Sequence, residues 1–209
     1  MTVANIVDKL GMARRDGAGH LQIPVQANGR GLREVGFLPN FGPGLTDTDN
    51  DGKSSNEIIE TLGEEVNALI LMGTDPVLDH PNGAAWDSAL KSAGTTIAFA
   101  SWLAPAAARH ADIIFPLEVG PEKEGTLTHP DGRIQRLRQT VERAGEVNAG
   151  WWVINELASR VGLDLGVKVV HQATQQIAAE VPIYAGITSD EIGATGVRWQ
   201  ERESAKNLP

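Results

Sequence analysis

Val3, Ile6, Val7 and Leu10 recur at the spacing that places four apolar side chains on one helix face, with Thr2 positioned to cap the helix and Gly17 and Gly19 to end it. Residues 20–46 are rich in Gly, Pro and Asn, so they predict loop, apart from a short strand over residues 21–25. A punctuated stretch at 47–55 leads into a helix near residues 55–64, with Ser54 or Ser55 as N-cap and Ile59 and Leu62 facing inward. From Val66 the alternation becomes regular. An apolar run at 66–72 ends at Gly73, and Trp86, Ala89, Leu90 and Ala93 then repeat at helical spacing. A second strand-like run covers 95–100, an alanine-rich helix with Pro105 in its first turn covers 104–110, and a third strand at 112–115 ends at Pro116.

This βαβαβ order, with strands apolar on both faces, predicts an α/β fold with a parallel sheet flanked by helices. Beyond Pro116, residues 118–132 are rich in glycine and charge, and 133–141 alternate as an extended segment. Ile154, Leu157, Ala158 and Val161 form a helical stripe closed by Gly162, and 174–180 predict one more helix. After Pro182 the chain turns polar and Gly-rich, with no terminal element expected before Pro209 and no internal repeat. Three regions follow: a helical and loop-rich lead-in (1–46), an α/β domain (47–165), and a helical and irregular extension (166–209).

Composition narrows the chemistry. The chain has 209 residues, and its longest apolar runs are a handful of residues, far short of the roughly 20 that span a bilayer. The first ten residues lack the basic start and apolar middle of a secretory signal, so a cytoplasmic setting is the default expectation. A net charge of −9 works against binding nucleic acid. With no cysteine, thiolate zinc sites, Cys-ligated iron-sulfur clusters and Cys nucleophiles are excluded from this sequence.

Gly73-Thr74-Asp75-Pro76 follows directly on a predicted strand. In open parallel sheets ligands sit beyond the carboxyl ends of strands, where glycine allows close backbone approach and a Thr or Asp side chain can bond a nucleotide. The same four residues also suit a tight strand-to-helix turn in which Asp75 accepts local N–H groups. Asp47-Thr48-Asp49-Asn50-Asp51-Gly52 has the opening of a calcium loop, but Ile58 occupies the twelfth position, where a bidentate Glu belongs, so a solvated acidic turn is expected. His20, His80, His110, His129 and His171 lack metal-site spacing, and no metal or catalytic residue is assigned. Neither a Gly-x-Ser-x-Gly elbow nor a phosphate-binding Gly-x-x-x-x-Gly-Lys-Ser/Thr loop is present. Gly125 and Gly132 bracket a loop that would gather Thr126, Thr128, His129 and Arg133 for a ligand, or for a structural hairpin.

The ordered set Gly73-Thr74-Asp75-Pro76, Ala111-Asp112-Ile113-Ile114-Phe115-Pro116, Glu122-Lys123-Glu124-Gly125-Thr126 and Gly132-Arg133-Ile134-Gln135 resembles the molybdopterin oxidoreductases. Ala27-Asn28-Gly29-Arg30-Gly31-Leu32, Gly36-Phe37-Leu38-Pro39, Tyr184-Ala185-Gly186-Ile187 and Gly196-Val197-Arg198-Trp199 look more like one branch, the large iron-sulfur subunit of bacterial NADH:quinone oxidoreductase, complex I. That resemblance implies an internal or C-terminal fragment whose Rossmann-like domain is a cofactor-poor scaffold for electron transfer from NADH to quinone. It also implies iron-sulfur clusters in a missing N-terminal region, other peripheral-arm subunits as partners, and a place at the cytoplasmic face of the inner membrane. Gly73, Thr74, Asp75, Gly125, Thr126 and Arg133 are the cofactor contacts it implies, inherited rather than used. The alternative is a fragment of a formate dehydrogenase-like enzyme in which a pterin-guanine dinucleotide, the molybdopterin cofactor, occupies that turn.

Overall fold

The computed structural model describes residues 2–12, 15–49 and 51–207. The Thr2 side chain, Asn50 of the acidic turn and the chain end at Pro209 lie outside the described residues. Helix α1 spans Thr2–Lys9 and α2 spans Gly29–Glu34. Helix α3 (Ser55–Thr61) begins with a reciprocal cap, in which the Glu57 N–H donates to Ser54 Oγ and the Ser54 N–H to Glu57 Oε2. Strand β1 (Ala68–Met72), helices α4 (Pro76–Asp79) and α5 (Gly83–Leu90), strand β2 (Thr95–Ala100), helix α6 (Pro105–His110) and strand β3 (Ile113–Pro116) follow in order.

The three strands form a parallel sheet in the order β1-β2-β3, with Leu71 opposite Ala98 and Ala98 opposite Ile114. Parallel neighbours need crossovers, and α4 with α5, then α6, supply them. Leu71, Ala98, Trp86, Ala89, Leu90, Ala106 and Ala107 pack on one face, joined by Leu62 from the end of α3. Ala106 and Ala107 of α6 are buried in this cluster together with Ala98 of β2. On the other face Phe99 and Leu117 pack against Val153 of α7 (Gly150–Arg160), with Phe99 and Phe115 rings tilted at a centroid distance of 5.1 Å. Each buried side chain of this size contributes roughly 1.5–3 kcal/mol of hydrophobic stabilisation.

The expectation of strands apolar on both faces holds in composition, but cover is complete only at the centre. Helix α7 lies over β2, so Ile70 and Met72 on β1 remain 56% and 36% exposed.

Strands β4 (Gly125–Thr128) and β5 (Arg133–Leu137) form an antiparallel hairpin, continued by β6 (Val197–Arg198) after α8 (Val170–Glu180) and α9 (Ser189–Ile192). Ile134, Val181, Ile183, Tyr184, Ile187 and Ile192 form the second core here.

Four expectations are corrected. Residues 21–25 form no strand: Ile23 and Val25 are 77% and 99% exposed, so this apolar run has nothing to pack on. The 20–46 loop contains α2, whose glycines disguised it. The strand expected over 133–141 stops at Leu137, where β4 runs out of partners. The segment after Pro182 is structured, with one short α-helix, three 3₁₀ turns and β6, because Tyr184, Ile187 and Ile192 anchor it in the second core.

Candidate functional site

Gly73 ends β1 with φ +63°, a left-handed conformation that L side chains rarely adopt, and its N–H donates to the Phe99 carbonyl at 2.8 Å. A Cβ added there would meet only Leu117 Cδ1 at 3.9 Å, so no protein atoms crowd this side of the backbone. Thr74 follows, its hydroxyl donating to Asp79 Oδ2 at 3.2 Å; the Asp75 N–H donates to the same oxygen at 3.1 Å.

Asp75 is only 8% exposed, and both its oxygens are occupied. Oδ1 accepts the Val77 and Leu78 N–H groups at 3.0 and 3.1 Å, capping α4, and Oδ2 accepts the Ala106 N–H at 2.7 Å, tying α4 to α6. The carboxylate is therefore a brace between two walls, with Pro76 preset for the first helical position.

Those walls enclose a cavity of about 300 Å³ at the carboxyl ends of β1 and β2. Gly73, Thr74 and Asp79 form one rim, Ala98, Ala100 and Ala107 contribute small side chains, and Leu78 and Trp102 are 64% and 75% exposed at its edges. This is the position where open parallel sheets hold ligands, and the volume is at the lower end for a small-molecule site. A cavity of about 430 Å³ between α8 and α9, where His171 Nδ1 meets Ser189 Oγ at 2.9 Å, involves none of the residues singled out as cofactor contacts.

Of the six cofactor contacts expected from sequence, the structure brings Gly73, Thr74 and Asp75 to this cavity and places the other three in the second sheet. Gly125 and Thr126 pair with Leu137 and Arg136 across the hairpin, and Arg133 Nη1 donates to the Thr195 and Gly196 carbonyls at 3.5 and 3.4 Å. The glycine-bracketed segment is a structural hairpin, whose turn carries His129 Nδ1 at 2.8 Å from Asp131 Oδ1. Among the described residues no three His, Asp or Glu side chains converge as a metal site.

A buried polar cluster was not foreseen from sequence. Glu34, 4% exposed, accepts Arg30 Nε at 2.7 Å, Trp199 Nε1 at 3.2 Å and a short hydrogen bond from the Tyr184 hydroxyl. Tyr184 in turn meets Thr128 Oγ1 at 2.8 Å, while the Thr128 N–H donates to Asn28 Oδ1 at 2.8 Å. The Arg30 guanidinium lies 5.8 Å from the centre of a Trp199 ring. Burial, and the Glu34 carboxylate beside it, hold the Tyr184 phenol far above its ordinary value. The Arg30–Glu34 spacing of four residues was the available signal, had 29–34 been read as helix.

Residues 1–160 match the molybdopterin oxidoreductase family. The F420-dependent formate dehydrogenase 1 subunit alpha of Methanococcus maripaludis is 29% identical over 213 residues, covering 93% of this chain and 32% of that protein. The F420-dependent formate dehydrogenase subunit alpha of Methanocaldococcus jannaschii is 28% identical over 217 residues, covering 94% and 32%. The chain thus spans about a third of the length of these curated relatives. The acetylene hydratase of Pelobacter acetylenicus superposes with a TM-score of 0.56 at 18% identity, over 74% of this chain and 21% of that one, which supports the fold.

These relatives overturn the resemblance to the large iron-sulfur subunit of NADH:quinone oxidoreductase. Three of the four stretches that suggested it contribute to the Glu34 cluster: Asn28 and Arg30, then Tyr184, then Trp199. The expected peripheral-arm partners, the membrane-face placement and the NADH-to-quinone role rested on that resemblance alone; among the described residues, no helix is long and apolar enough to cross a membrane. The matched span, the parallel sheet and its strand-end cavity agree, and the chain belongs to the molybdopterin oxidoreductase family.

Proposed function

We propose that this chain is the nucleotide-holding part of a formate dehydrogenase-like molybdopterin oxidoreductase, its strand-end cavity taking the guanine nucleotide arm of a pterin-guanine dinucleotide. The observation that carries this reading is the cavity of about 300 Å³ beyond β1 and β2, with Gly73 in left-handed conformation on its rim. The family match and the formate dehydrogenase relatives support it.

The residues present fit such a group. Gly73 presents backbone with no side chain between it and a ligand. The Thr74 hydroxyl and the exposed Asp79 carboxylate, whose Oδ1 is unbonded among the described residues, offer polar partners on the same rim. Asp75 keeps the α4 and α6 walls in register through its three N–H bonds. When bound, the molybdenum of the cofactor supplies two-electron exchange with formate; this chain's residues bind and orient the nucleotide. No residue here is assigned to the metal, and Gly125, Thr126 and Arg133 are not assigned to this cavity.

The test is to purify the complete polypeptide carrying this chain from a host that makes the cofactor, then measure molybdenum and the guanosine monophosphate released on acid treatment. Stoichiometric amounts of both are expected. Neither, in folded protein, would contradict the reading.

A further inference from the structure

We propose that the Trp102 indole is the stacking platform for a planar heteroaromatic ring, a purine or a pterin, entering the strand-end cavity with Leu78 as the opposing wall. The inference rests on reading that cavity as a nucleotide site.

Trp102 is 75% exposed, whereas Trp86 is 4% and Trp152 42% exposed. Burial in the core explains Trp86; among the described residues, no core cluster or ring contact uses Trp102. Its backbone is nevertheless fixed. The Trp102 carbonyl accepts the Ala104 N–H at 2.9 Å, Ser101 Oγ donates to the Glu118 carbonyl at 3.3 Å, and Pro105 starts α6 directly afterwards. A large apolar ring on a pinned loop, left facing solvent at the edge of a cavity, is what a stacking surface requires, since little ordering entropy remains to be lost on binding.

Leu78, 64% exposed, lines the same cavity from α4, so two uncovered apolar side chains flank one cleft. Exposed apolar groups gathered at a polar-rimmed groove mark ligand contacts. The Thr74 hydroxyl and Asp79 carboxylate on that rim can meet the polar edge of a ring whose face lies on the indole. Removing one such aromatic weakens base binding by roughly 5- to 150-fold in other stacking sites.

Isothermal titration of the 209-residue chain with guanosine monophosphate tests this, with ribose 5-phosphate as the probe lacking a ring. Trp102→Ala should weaken the nucleotide by about 5-fold or more while Trp102→Phe stays near wild type. Ribose 5-phosphate binding should be unchanged by either, and the nucleotide should quench tryptophan emission in wild type but not in Trp102→Phe. Thermal melts should coincide for all three proteins, because the indole is exposed. Wild-type nucleotide affinity in Trp102→Ala would overturn the stacking role and leave the nucleotide reading standing. Absence of nucleotide binding to wild type would overturn both.

Discussion

Replacing Asp75 by Ala removes a side chain that ties both walls of the cavity together by hydrogen bonds to α4 and α6. Losing an N-cap costs roughly 0.5–2 kcal/mol. The Ala106 N–H, in a residue with 0% exposure, then has no acceptor, and an unpaired buried donor costs about 1–3 kcal/mol. Together the expected loss is about 1.5–5 kcal/mol, a large share of the roughly 5–15 kcal/mol that stabilises an ordinary domain. For a chain of this length the melting temperature should fall by on the order of 10 °C. Asp75→Asn should fall between the two, because its amide oxygen can keep the α4 cap while its NH₂ group faces the Ala106 donor. Urea unfolding followed by circular dichroism measures all three proteins. A loss under about 0.5 kcal/mol for Asp75→Ala, or an Asn variant as stable as wild type, would refute the brace and return Asp75 to the role of a free ligand contact.

Three further outcomes are expected. Tyr184→Phe should lose about 1–3 kcal/mol in urea unfolding, because Glu34 Oε2 loses its buried hydroxyl donor. Since the folded protein holds the Tyr184 proton more tightly than the unfolded chain, wild-type stability should also fall as pH rises above about 10, more steeply than in the Phe variant. Thr96→Val should gain about 1 kcal/mol, because Thr96 Oγ1 is buried without a hydrogen-bond partner and the methyl that replaces it has nothing to lose. The His110 ring and the Lys91 ammonium hold the Asp87 carboxyl down to about 2, so the unfolded chain takes up a proton there first as pH falls. Unfolding midpoints should therefore drop between about pH 4 and pH 2, and Asp87→Asn should flatten that drop.

The parallel sheet was legible because its signals are local: short apolar runs at 66–72 and 95–100, each ended by a turn residue, with a helical stripe between them. The turn at Gly73 was legible for the same reason, although its two readings could not be separated within four residues. What separates them is Asp75's bond to Ala106, which lies 31 positions away. The Glu34 cluster was hidden more deeply, since its bonds run from Glu34 to Tyr184 and Trp199 across 150 and 165 positions. In the sequence those partners show only as a family likeness, and that likeness points to a branch that the relatives contradict. The six expected contacts divided between two sheets because order along a chain does not say which strand ends share a cavity.

The central claim, that a guanine nucleotide occupies the cavity beyond β1 and β2, is tested most directly by hydrogen–deuterium exchange of the chain with and without saturating guanosine monophosphate. Slower exchange confined to residues 73–79 and 98–107 is the predicted result. Protection centred on the 125–137 hairpin, or no protection anywhere, would contradict it.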